Sequence, residues 1–117
     1  MDEERRRQVK IIANNIKVLL DANGMTNRDL ANGLAIGESS IGKWLNGVNG
    51  PTMGTLQKVA DYFRVSLDDL VTVHETKSFA DPNRRYLLDK IDNSSAADLA
   101  KLRKMIDLIE GENDQRR

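Results

Sequence analysis

The chain has 117 residues, and its 18 Lys and Arg are balanced by 18 Asp and Glu, so it lacks the basic excess typical of nucleic-acid binders. Any contact with nucleic acid must therefore rest on a local patch. With no cysteine and a single histidine, disulfide frameworks, thiolate zinc sites, cysteine nucleophiles and imidazole metal clusters are excluded.

The length suits one compact domain with an appendage. Aromatic residues make up 4% and prolines number two, a composition that favours helices packed through aliphatic stripes, so an all-α chain is expected. No apolar run reaches membrane-spanning length and no signal-peptide core follows the first basic residues. A cytoplasmic protein with no membrane partner is the expectation.

In chain order, Val9, Ile12, Ile16, Leu19 and Leu20 recur at steps of three and four, which predicts a helix from Glu4 to Ala22 with one apolar face. Gly24 ends it, taking the left-handed conformation that other residues avoid. Thr26 and Asp29 have the spacing of a capping box, which opens a second helix carrying Leu30, Ala31 and Leu34. After the bend Ala35, Ile36, Gly37, a third short helix from Glu38 to Leu45 turns Ile41, Trp44 and Leu45 inward. It closes at Asn46 and Gly47. A fourth helix follows Thr52, with Met53, Leu56, Val59, Ala60 and Phe63 on its apolar face, and Ser66 and Asp69 cap a single-turn fifth that carries Leu67 and Leu70.

The periodicity stops over residues 72–80, which read as a polar linker with His74 a solvated loop residue. Asp81 and Pro82 start a sixth helix, and Ser95 with Asp98 caps a seventh. The expected organisation is a five-helix domain over 1–71, a linker over 72–80, a two-helix hairpin over 81–111 and a disordered C-terminus over 112–117.

Two short helices around a three-residue bend, held by Leu30, Ala31, Ile36, Ile41 and Trp44, form the centre of a larger set of motifs. Thr26 to Ala31, Ser39 to Ile41, Trp44 to Gly47, Thr55 and Leu56, Val59 and Ala60, and Val65 to Leu70 stand in the order and spacing of one family. Through them the sequence resembles the XRE or Cro/cI-like (lambda repressor-like) helix-turn-helix regulators over about Ile12 to Val71. Two positions depart from that pattern: Ala35 stands where the bend usually carries glycine, and Asn27 where a glutamine is common.

The resemblance implies that residues 38–45 are a recognition helix lying in the major groove of double-stranded DNA. By position Glu38, Ser39 and Lys43 would read bases: a carboxylate accepts from cytosine N4, a hydroxyl serves either role, and a lysine suits the acceptors of guanine. Asn27, Ser40 and Asn46 would hold phosphate. Arg5, Arg6 and Arg7 are candidates for an N-terminal arm. Gly42, inside the helix, fits either a close approach of DNA or crowding against the second helix.

The tail residues Leu87, Leu88, Ile91, Leu99, Leu102, Ile106 and Ile109 form an apolar seam suited to self-association. A homodimer would supply a second half-site about 34 Å along the duplex. The expected function is a sequence-specific transcriptional regulator, a bacterial or phage repressor on a pseudo-palindromic operator, with no cofactor and no enzymatic activity. Two other readings stay open at this point: an antitoxin whose tail masks a protein partner, and an interaction adaptor that keeps the fold without binding DNA.

Overall fold

The computed structural model describes residues 2–115 and contains only helices and connecting segments among them. These are α1 (Glu3–Ala22), α2 (Asn27–Leu34), α3 (Glu38–Leu45), α4 (Met53–Phe63), α5 (Leu67–Val71), a 3-10 turn at Ser78–Ala80, α6 (Pro82–Asp92) and α7 (Ala96–Gln115).

Local chemistry sets the boundaries. Oxygens of Asp2, Thr26, Thr52 and Ser66 accept from the backbone N–H three residues on, satisfying donors that a helix start leaves open. At Thr26 and Ser66 the bond is reciprocated by Asp29 and Asp69, which completes both expected capping boxes. The C-termini of α1 to α4 share one solution. A residue with positive φ follows each helix (Gly24, Ala35, Gly47, Arg64), and the next N–H reaches back five residues to a helix carbonyl.

The core is built where α1 packs against α3 and α5, and α2 against α3 and α4. Ile16, Leu19, Leu30, Ile41, Val59 and Leu70 are its largest fully buried members. One polar side chain joins them. The amide of Asn15 donates to the carbonyls of Leu70 and Thr72, each at 2.9 Å, and at 3.2 Å to that of Asp69. It thereby satisfies acceptors that the end of α5 leaves orphaned.

Several expectations change. Residues 72–80 are more than a linker: Phe79 and Ala80 belong to the core cluster, and His74 is half-buried rather than solvated. The His74 ring stacks on Phe79 at 4.0 Å and donates from Nε2 to the Asp69 carbonyl at 2.6 Å. A single apolar residue in a 3-10 turn generates no periodicity, which is why the polar composition around it misleads. Met53 is 71% exposed, not inward, because it is the first residue of α4 and projects past the end of the core. Helix α7 runs to Gln115, and the end of the C-terminal segment expected over 112–117, residues 116–117, lies outside the described residues.

The chain divides into two compact units, one through Arg85 and one from Tyr86 onward. In the second, Leu87, Leu88, Ile91, Leu99, Ile106 and Ile109 are exposed and Leu102 is half-buried. No helix among the described residues is long and apolar enough to cross a membrane.

Candidate nucleic-acid interface

The interface begins with the capping box of α2. The Thr26 N–H donates to Asp29 Oδ2 at 2.9 Å and the Asp29 N–H to Thr26 Oγ1 at 3.1 Å. The Thr26 backbone N–H, then its hydroxyl, hold the Asp29 carboxyl below its ordinary value of 3.8. This fixes the first turn of α2, where Asn27 sits half-buried.

Eight residues after Asn27, Ala35 adopts φ 56 and ψ 44, the left-handed state that reverses the chain between α2 and α3. The Ala35 N–H donates to the Asn32 carbonyl at 3.3 Å and the Ile36 N–H to the Ala31 carbonyl at 3.0 Å. Those bonds lock the angle between the two helices.

Helix α3 is two-sided. Ile41 and Trp44 are buried against α1 and α2, while Glu38, Ser39 and Lys43 are exposed together. Residues four apart share a helix face, so Ser39 lies beside Lys43 and Glu38 beside Gly42. A Cβ built on Gly42 would meet nothing within 4 Å, so crowding against α2 does not explain this glycine. Ser40 is half-buried and Asn46, the residue ending α3, is exposed. Next to Ser40 and Lys43 a surface cleft of about 260 Å³ opens towards Asn49, Thr52 and Thr55 at the start of α4.

One participant escapes the sequence reading. Arg28 Nε lies 3.4 Å from Glu38 Oε2, tying the first turn of α2 to the first turn of α3, with both side chains well exposed. Exposed pairs of this kind contribute little to stability. The consequence is local: the carboxylate on the exposed face of α3 is partly neutralised by a cation on the same side of the motif. Its signal in the sequence is only a charge of opposite sign ten residues away, across a turn, which helix-face spacing does not detect.

Arg5, Arg6 and Arg7 are exposed, but they sit on the first turns of α1 rather than in an extended arm. The cap from Asp2, whose Oδ1 accepts from the Arg5 N–H at 2.7 Å, starts the helix before them.

Comparison with known proteins converges on the same segment. Residues 15–75 match the family described as the Cro/C1-type HTH DNA-binding domain. The HTH-type transcriptional activator BcrR of Enterococcus faecalis is 30% identical over 78 residues, which is 67% of this chain and 38% of that protein. The chain thus spans well under half the length of that relative. A crystal structure of a transcriptional regulator from Listeria innocua superposes with a TM-score of 0.50 at 26% identity, covering 86% of this chain and 92% of the other.

Proposed function

This chain belongs to the Cro/C1-type helix-turn-helix DNA-binding family, and from that premise we propose that it is a sequence-specific transcriptional regulator reading double-stranded DNA with α3. It acts as a dimer on a pseudo-palindromic operator and represses by occupying it. The observation that carries this reading is the two-sidedness of α3: Ile41 and Trp44 anchor it, and Glu38, Ser39 and Lys43 stand outward on a rod fixed by the Ala35 bend.

An α-helix fits the major groove, where each base pair presents its own set of donors and acceptors. Lys43 meets guanine acceptors, Ser39 serves as donor or acceptor, and Glu38 accepts from cytosine N4. Asn27, Ser40 and Asn46 contact phosphate and set the register, and Arg28 keeps the Glu38 carboxylate from repelling the phosphate backbone. Dimerisation through Leu87, Leu88, Ile91, Leu99, Leu102, Ile106 and Ile109 doubles the base pairs read.

The experiment is selection of bound sequences from a random DNA pool, followed by gel shifts with Lys43→Ala and Ser39→Ala. Each substitution is expected to weaken binding to the selected site by about tenfold or more and to relax preference at one base pair. Unchanged affinity and preference in both variants would overturn the assignment of α3. The Enterococcus relative is named an activator, which favours activation as a second reading. A reporter with the selected site upstream of, and then overlapping, a promoter separates the two.

A further inference from the structure

The pair Asn-Gly occurs four times, beginning at Asn23, Asn32, Asn46 and Asn49. In this pair a backbone nitrogen most easily attacks the preceding side chain, because glycine places no Cβ beside the nitrogen. A nitrogen whose N–H is held by a carbonyl, or a side-chain amide that is itself anchored, must first be released.

Three of the four pairs are held in this way. The Gly24 N–H donates to the Asp21 carbonyl at 3.2 Å, and the Asn23 amide donates to the Leu19 carbonyl at 2.8 Å. Asn32 and Gly33 lie inside α2, where the helix fixes the backbone. The Gly47 N–H donates to the Trp44 carbonyl at 3.1 Å.

The last pair differs. Asn49 and Gly50 lie between α3 and α4 in no regular structure, and neither makes a hydrogen bond among the described residues. The Asn49 side chain is exposed. The chain is anchored on both sides of the pair, by the Val48 N–H donating to the Lys43 carbonyl at 2.9 Å and by the buried Pro51. Packing also favours the glycine, since a Cβ at Gly50 would stand 3.2 Å from Val9 Cγ2.

We propose that Asn49 is a site of spontaneous covalent modification whose products release the chain from DNA. The Gly50 nitrogen attacks Asn49 Cγ. A bond from that nitrogen to Cγ forms, the bond from Cγ to Nδ2 breaks, and Nδ2 leaves as ammonia with the Gly50 amide proton. Water then opens the cyclic imide. Its addition at Cγ gives aspartate, and its addition at the backbone carbonyl gives isoaspartate, whose main chain runs through Cβ and Cγ. Nothing is oxidised or reduced.

Either product carries a carboxylate where a neutral amide stood, in the cleft that Asn49 shares with Ser40 and Lys43. That charge offsets Lys43 and repels phosphate. The consequence for DNA rests on the reading by α3 proposed above; the chemistry at Asn49 does not.

The test ages the full chain in mildly alkaline buffer, where an amide nitrogen loses its proton more readily. Peptide mapping that resolves asparagine, aspartate and isoaspartate follows every Asn-Gly pair over time. Asn49 is expected to convert about tenfold faster than Asn23, Asn32 or Asn46. Gel shifts on the selected site, run on the same samples, are expected to lose affinity in step with that conversion, the converted chain binding about tenfold more weakly. Asn49→Gln closes a larger ring far more slowly and is expected to hold its starting affinity, whatever that is, through the same incubation.

Equal conversion at all the pairs, undiminished affinity once Asn49 has converted, or loss of affinity in Asn49→Gln at the wild-type rate would each overturn the proposal. Mapping needs no DNA. A fresh chain that selects no sequence therefore overturns the reading by α3 and this consequence with it, while conversion at Asn49 is still judged by its own measurement.

Discussion

Ala35 occupies a backbone state that disfavours any side chain carrying a Cβ. At φ 56 its Cβ crowds the neighbouring carbonyl, a strain of about 1 kcal/mol that the hydrogen bonds around the bend and the burial of Leu30 and Ile41 must offset. Ala35→Gly removes it. Even after the greater freedom glycine gains in the unfolded chain, the substitution is expected to stabilise the fold by up to about 1 kcal/mol, measured by urea denaturation, with DNA affinity unchanged because Ala35 faces no proposed contact.

Asp29 works at the same scale through its charge. Its carboxyl is held below 3.8 chiefly by the Thr26 N–H, so the folded chain binds that proton less readily than the unfolded one. The contribution is fully present above the unfolded value and is lost as pH falls through the lower folded value. Between neutral pH and about pH 4 the melting temperature should show no effect of this group. Below that it should fall, and Asp29→Asn should remove this part of the decline.

At the scale of elements, α3 contains its own test in Gly42. A glycine inside a helix destabilises it by about 1 kcal/mol relative to alanine, and the space around Gly42 is open. Gly42→Ala is therefore expected to stabilise the isolated protein by about that amount. The same methyl group would stand beside Glu38 and Lys43 on the face proposed to read bases, so DNA affinity should fall. A variant that is more stable and binds equally well would show that no DNA approaches this part of α3.

The elements themselves were largely legible in the sequence, because their starts are written in side chains: Thr26 with Asp29 and Ser66 with Asp69 each specify a first turn by reciprocal hydrogen bonds. What escaped notice depends on distant partners. Asn15 reads as a polar interruption of the apolar stripe until its partners, more than fifty residues on, are in place. Phe79, isolated among polar residues, has no periodicity to betray that it is core. Arg28 and Glu38 meet only because the Ala35 bend brings α2 and α3 together.

At the scale of the whole molecule the difficulty is electrostatic. A chain with no net charge must bind a polyanion, so its affinity depends on where the charges sit, with Lys43 and Arg28 on the side proposed to read DNA and Glu38 partly neutralised there. Each phosphate a protein neutralises releases condensed counterions, and the slope of log affinity against log salt is about −0.9 times the number of phosphates contacted. Net charge does not enter that slope; contacts do.

A dimer with one reading helix per copy makes twice the contacts on a full palindrome that one copy makes on a half-site. The slope measured on the palindrome should then be about double that on a single half-site, and inserting about five base pairs between half-sites should reduce the palindrome to half-site behaviour, since it turns one half-site to the opposite face of the duplex. Equal slopes on both DNAs would mean that a single copy binds, and a slope near zero would mean that this chain keeps the family's fold without gripping the phosphate backbone.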